Sequence, residues 1–259
     1  MRSLDPLEAP VDPVAALRRV AFLLERSRQH SRRVEAFRGA VATLRELDEG
    51  EVRERVEAGT VTELATQQEQ HGGPLVEGGT AYTEAIIGDC HLHSDWSDGG
   101  SPIDEMVLTA VELGQEWMVL TDHSPRLRIA NGLSAQRLAQ QLDLLARIDA
   151  SLGDAFTVMS GIEVDILDDG GLDQTPEMLA RLDLVTASVH SKLKMARGPM
   201  TARMVAAVAN PRVNVLGHCT GRLVTGSRGT RPQSDFDARA VFEACAEHDV
   251  AVEINSRPE

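Results

Sequence analysis

Two rhythms of hydrophobic and polar positions divide the chain. In residues 13–27, "PVAALRRVAFLLERS", Val14, Leu17, Val20 and Leu24 recur at helical spacing, and "RRVEAFRGAVATLREL" (32–47) repeats the pattern. "EGEVRERVEAG" (49–59) reads as a third short helix ending at Gly59. Residues 66–82, "TQQEQHGGPLVEGGTAY", have no period and two Gly-Gly pairs, which predicts a linker. From residue 84 short apolar runs alternate with longer helical patterns. The predicted strands are 85–93, 117–123, 156–166, 182–190, 213–219 and 250–256; the predicted helices are 103–114, 134–153, 200–210 and 237–249. Alternating β and α with nearly continuous apolar strands predicts an α/β fold on a parallel sheet, either a barrel or a doubly wound sheet. The expected organisation is a helical region (1–65), a linker (66–84) and an α/β domain (85–259).

Composition narrows the function classes. No apolar run approaches the ~18 residues of a membrane span. "MRSLDPLEAPVDP" has acids and prolines where a secretory signal needs an apolar stretch, so a cytoplasmic location is expected. Three widely spaced cysteines (Cys90, Cys219, Cys245) make no disulfide framework. The net charge of −14 is uneven: residues 1–60 hold 11 Arg against 11 Asp and Glu, so the whole acidic excess lies beyond them. Such a body binds nucleic acid poorly without clustered cations. It suits a site that concentrates divalent cations, although acidic composition is also common and soluble.

The chemistry lies at the strand ends. His93 ends the first predicted strand, His123 the second, His190 the fourth and His218 the fifth, and Glu163 lies near the end of the third. In a β/α barrel these points ring the C-terminal mouth, where active sites are built. His91 and His93, two apart, project from one strand face and can reach one ion. Imidazole with carboxylate suits zinc, manganese or iron, and no Cys pair points to a structural zinc site. Five of the chain's eight histidines share this placement; His30, His71 and His248 read as solvated surface. Asp89 and Asp122 adjoin these residues, either orienting imidazoles or serving turns. Asp98, in "WSDGG", either ligates or shapes the turn. Cys90 is expected to alternate away into the core. Arg222, four residues past His218, is either a bidentate phosphate clamp or an ordinary surface arginine.

"DCHLHSDWSDG", "LTDHS", "GIEVDI", "ASVH" and "GHCTGR" together resemble the motifs of the polymerase-and-histidinol-phosphatase (PHP) superfamily. "ANGLSAQRL", "DGGLDQTPEMLARLDLVTASVHS" and "GHCTGRLVTG" are similar in style to the C-terminal PHP domain of bacterial X-family DNA polymerases. The resemblance covers about residues 86–259. It implies a distorted seven-stranded (β/α) barrel with up to three divalent ions, hydrolysing phosphomonoesters or phosphodiesters, including nucleic-acid 3′ ends or nucleotides. By motif position His91, His93, Asp98, His123, Glu163, His190 and His218 would be metal ligands. Glu163, bridging two ions, and Arg222 would be the catalytic groups.

Three departures qualify these expectations. The family's final Asp-x-His pair, on a seventh strand, is not reached by Glu259. The expected barrel therefore lacks its closing strand, and its open edge is a site for self-association or for a partner. Residues 13–57 resemble the helical N-terminus of X-family polymerases, but "ATQQEQHGG" stands where a helix-hairpin-helix turn belongs. Residues 60–85 leave no room for a nucleotidyltransferase palm. The alternatives are a small-molecule phosphatase of the histidinol-phosphatase kind, a DNA-end-binding accessory protein, and a PHP binding or regulatory module with impaired catalysis.

Overall fold

The computed structural model describes residues 19–20, 85–223 and 230–254, and the chain divides between residues 84 and 85. Of the expected helical region only Arg19 and Val20 are described, both helical; the rest of it, the linker, His30 and His71 lie outside the described residues.

Six strands form one parallel sheet: β1 (Gly88–Leu92), β2 (Trp117–Leu120), β3 (Thr157–Asp165), β4 (Leu184–Ser188), β5 (Val215–Leu216) and β6 (Ala251–Val252). Their spatial order follows the chain order from β1 to β6, and every neighbouring pair is parallel. A doubly wound sheet reverses direction at a switch point. This sheet does not, so it is the barrel alternative that holds, with the strands curled into an open half-barrel. All six predicted strands are present, each shorter than its apolar run. β1 and β6 are the two edges of the sheet.

The helices follow their sequence signals closely. They are α1 (Ile103–Glu112), α2 (Ala135–Leu152), a single turn α3 (Pro176–Leu179), α4 (Arg197–Val208) and α5 (Ala238–Glu247). Ser134, Thr175 and Asp237 cap α2, α3 and α5, each side chain accepting a backbone N–H three residues on. Pro176 occupies the first turn of α3, where its missing N–H costs nothing.

Period-two alternation separates the two faces of the sheet. Ile162, Val164 and Ile166 from β3 and its end, with Val185, Ala187 and Val189 from β4 and its end, join one apolar cluster with Met200, Met204 and Val241 of the helices. Met118, Leu120, Phe156 and Val158 pack with Ile103, Val107 and Leu145 in a second. Each such side chain contributes roughly 1.5–3 kcal/mol by leaving water. The intervening positions, Thr121, His123, Glu163, Asp165, Thr186 and Ser188, are buried and polar. Helices thus cover one face with hydrocarbon, while the other carries the chemistry.

Candidate metal centre

Glu163 organises this polar face. It sits in β3 with its side chain 1% exposed, and an isolated parallel bridge pairs it with His123. Five imidazoles close on its two oxygens. Oε2 faces His91 Nε2 at 3.3 Å, His93 Nε2 at 3.4 Å and His123 Nδ1 at 2.9 Å. Oε1 faces His190 Nε2 at 3.2 Å and His218 Nε2 at 2.8 Å. Asp98, half exposed in the turn after β1, completes the ring: its Oδ1 is 3.4 Å from His123 Nε2 and 3.9 Å from His93 Nδ1. The structure thus brings together all seven residues singled out as ligands.

Local geometry explains how one strand supplies two of them. The β1–β2 register shifts between Asp89 and Leu92, a bulge of the kind found beside active sites. His91 lies within it and His93 just past it, with ring centroids 5.1 Å apart. His93 stacks on His123 at 4.3 Å. Behind the turn, Asp122 holds the chain: Ser94 N–H and Oγ–H donate to it at 2.7 and 2.5 Å, Ser97 Oγ–H at 2.5 Å and Gln141 Nε2–H at 2.6 Å. Asp122 therefore anchors the loop rather than an imidazole. Asp89 likewise accepts the His91 backbone N–H, a turn role. Cys90 is half-buried and joins neither apolar cluster, contrary to the expectation that it enters the core, because the bulge interrupts the alternation at that point. Arg222 is exposed on the loop after β5, and no described contact links its guanidinium to the ring. His248, past the end of α5, is exposed as expected.

The electrostatics follow from one buried anion among many rings. Burial favours the neutral acid of Glu163, but the imidazoles of His123, His190, His218 and His91 outweigh it and hold the carboxyl well below its usual range. Burial opposes protonation of His91, yet Glu163 and Glu253 push it up to about 10. Asp98 and Glu163 raise His123 to about 9, and Asp165 and Glu163 raise His190 to about 9, both against burial. His93 goes the other way: burial, with His123 and His91 beside it, lowers it to about 3 despite Glu163.

The donor set fits divalent metal. His93 Nδ1, His123 Nδ1 and Glu163 Oε2 are buried and make no hydrogen bond. His123 Nδ1 and Glu163 Oε2 are 2.9 Å apart, yet they do not form a hydrogen bond with each other. Three groups each offer ligand atoms within 4.8 Å of one another: His91, Glu163 and His218; His93, Asp98 and His123; His123, Glu163 and His190. Nitrogen and oxygen donors of this kind suit Zn, Mn or Fe.

Three contributors were not singled out from the sequence. Glu253, one residue past β6, and Asp165, the last residue of β3, contact His91 and His190. Both were within reach of the strand-end rule, Glu253 on the sixth strand and Asp165 at i+2 from Glu163 on the same face. Arg126, on the loop after β2, lies 3.8 Å from Asp165 with half its side chain exposed; no pattern in its own segment marked it.

The PHP domain pattern matches residues 89–257. The chain is 38% identical over 173 residues to the DNA polymerase/3′-5′ exonuclease PolX of Bacillus subtilis, covering 67% of this chain and 30% of that protein. It is 27% identical over 172 residues to the "Probable phosphatase YcdX" of Escherichia coli, covering 65% of this chain and 63% of that one. It thus spans less than two thirds of either relative. A crystal structure of histidinol phosphate phosphatase from Lactococcus lactis aligns over 66% of this chain and 74% of that one, at 18% identity and a TM-score of 0.45. Among the described residues no helix is long and apolar enough to cross a membrane. With its parallel half-barrel, its ring of histidines on one glutamate and the match over residues 89–257, the chain belongs to the PHP domain family of metal-dependent phosphoesterases.

Proposed function

We propose that residues 85–259 form a phosphoesterase domain in which His91, His93, Asp98, His123, Glu163, His190 and His218 hold up to three divalent ions, Zn, Mn or Fe, and which hydrolyses phosphomonoesters or phosphodiesters. The observation that carries this reading is the convergence of five imidazoles on both oxygens of one buried carboxylate, with buried donor atoms left unpaired. Bound ions would supply Lewis acidity toward the phosphate and a lowered pKa for the attacking water.

The chain's own residues do the rest. Glu163 divides its two oxygens between the two sides of the ring, so one carboxylate serves neighbouring sites. Asp98, in a turn open to solvent, offers an oxygen where substrate enters. Arg222 is assigned as a phosphate clamp on the loop after β5. Arg126, held beside Asp165 at the mouth, is a second guanidinium able to take phosphate oxygens bidentately. These cations offset the acidic body, which otherwise repels a phosphate ester. The names of the polymerase/exonuclease and phosphatase relatives support a nucleic-acid 3′ end, a nucleotide or a small phosphomonoester as substrate. At the β6 edge Val252 and Ile254 are exposed, which supports self-association there. The helical region 1–65 and linker 66–84 stand as the proposed organisation before this domain, and a cytoplasmic location goes with them.

Turnover of an aryl phosphate with Mn²⁺, compared between wild type and a His91→Ala/His93→Ala double variant, tests the proposal. A loss of about 100-fold or more is expected. Equal rates would end the hydrolase reading and leave the impaired binding module.

A further inference from the structure

Two carboxylates touch the ring from behind, on histidines from different strands. Glu253 Oε1 is 2.8 Å from His91 Nδ1, and Asp165 Oδ1 is 2.7 Å from His190 Nδ1. In both histidines the other nitrogen, Nε2, faces Glu163, at 3.3 Å for His91 and 3.2 Å for His190. A carboxylate only accepts, and on each ring the outer one is the nearer, so with a cation between Nε2 and Glu163 the ring keeps its proton on Nδ1 and turns the Nε2 lone pair inward. His93 differs: its buried Nδ1 makes no hydrogen bond, and the Asp98 oxygen nearest it is 3.9 Å away. His123 differs too, since both its nitrogens face ring carboxylates.

Glu253 also has a second grip. Its Oε2 accepts the backbone N–H of His218 at 2.5 Å. One side chain from the end of β6 therefore ties the imidazole of β1 to the backbone after β5, across two edge strands that do not pair with each other. Asp165 is likewise fixed, its backbone N–H donating to Ser124 Oγ and Asp173 Oδ1. Glu253 is thus held at its carboxylate and Asp165 at its backbone.

We propose that Glu253 and Asp165 are positioning residues. Each fixes its histidine as the Nδ1–H tautomer and presets Nε2 toward the position of a divalent ion. This rests on the metal-holding reading of the ring. Removing such a partner from a metal-binding histidine weakens affinity by about 10–100-fold.

The test uses the full chain with ¹⁵N-labelled histidine and Zn²⁺ as the probe. Long-range ¹H–¹⁵N correlation reads the tautomers, and competition with a chromophoric chelator reads the zinc dissociation constant. In wild type, His91 and His190 are expected with a protonated Nδ1 and a zinc-shifted Nε2. Glu253→Ala should lose this signature at His91 alone and bind Zn²⁺ about 10–100-fold more weakly. Asp165→Ala should do the same at His190 alone. Asp165→Asn, which keeps an acceptor oxygen for His190 Nδ1–H, should restore the His190 signature and most of the affinity. A folded Glu253→Ala protein with wild-type tautomer and affinity overturns the proposal. If that variant does not fold, Asp165→Asn decides: loss of the Nδ1–H form at His190 despite the retained acceptor overturns it equally. Wild type that binds no Zn²⁺ sinks the metal reading itself, a result distinct from either.

Discussion

His123 Nδ1 and Glu163 Oε2 lie 2.9 Å apart in the protein interior without forming a hydrogen bond. Neither atom is satisfied by the other, and both residues belong to a group whose ligand atoms lie within 4.8 Å of one another. Among the described residues Glu163 is also the sole carboxylate that all five ring histidines approach. Glu163→Ala is therefore expected to act twice. It removes the shared ligand, and it leaves raised, buried histidines without their anion, which costs about 3–5 kcal/mol in chelator-treated protein. Denaturant unfolding with and without a chelator measures the second effect; metal titration measures the first. A variant as stable and as metal-avid as wild type would remove Glu163 from the centre of the site.

The raised histidines give the metal-free protein a particular pH dependence. His91 titrates near 10 and His123 and His190 near 9, against an ordinary value of 6.5. Their contribution to stability is fully present below about pH 6.5 and is lost as pH rises through about 9 to 10. Ligands must shed protons to bind metal, so metal affinity moves the other way and grows over the same window. The gap in melting temperature between metal-loaded and chelator-treated protein should widen from pH 6.5 to 9. A gap that narrows, or does not change, contradicts the protonation pattern of the ring.

On the acid side the depressed carboxylates take over. Glu163, Glu253 and Asp98 are held below their ordinary values by neighbouring histidines. Their contribution is present above the ordinary carboxylate range and is lost as pH falls through their lower folded values. His93, lowered to about 3, costs stability below pH 6.5 as the unfolded chain takes up its proton. Melting temperature of the chelator-treated protein should therefore fall again below about pH 4.5. A plateau down to pH 3 would mean that the ring carboxylates are not held below their ordinary values.

Gly99 sets the turn that carries Asp98. A Cβ there would lie 2.0 Å from the His93 carbonyl oxygen, a backbone atom with no freedom to move aside alone. Gly99→Ala is expected to displace the turn and withdraw Asp98 from His93 and His123. Metal content should fall by up to one ion per chain while the unfolding midpoint changes little. Unchanged stoichiometry by elemental analysis would mean that Asp98 is not a ligand.

Asp122 supports the same segment from beneath. Burial pushes its carboxyl up, against the donors from Ser94, Ser97 and Gln141. Asp122→Ala strands those donors in the interior and is expected to cost about 3 kcal/mol. A loss below about 0.5 kcal/mol in denaturant unfolding would show that the network is not what holds the loop.

The six strands and four longer helices were legible because a sheet covered on one face by helices leaves apolar runs of the right length at the right intervals. The ring was legible for a related reason. Parallel strands align their C-terminal ends, so polar residues ending successive apolar runs fall along one edge of the sheet, and its curl brings them into a ring. Pairwise roles were not legible. Asp122 directly precedes His123, yet alternation aims it away from the ring, at Ser94, Ser97 and Gln141 from distant segments. The bulge in β1 leaves no mark on composition, and with it went the expectation for Cys90. Glu253 sits 162 positions from His91, so their contact depends on how far the sheet curls, which no local pattern records.

Whether the histidine ring holds divalent metal is tested most directly by metal per chain, measured by elemental analysis. Wild type and the His91→Ala/His93→Ala variant would be supplied with Mn²⁺ or Zn²⁺ and freed of excess by gel filtration. At least one ion per wild-type chain is predicted, with a clear loss in the folded variant. Less than one ion in wild type, or equal content in the two proteins, would contradict metal binding by the ring.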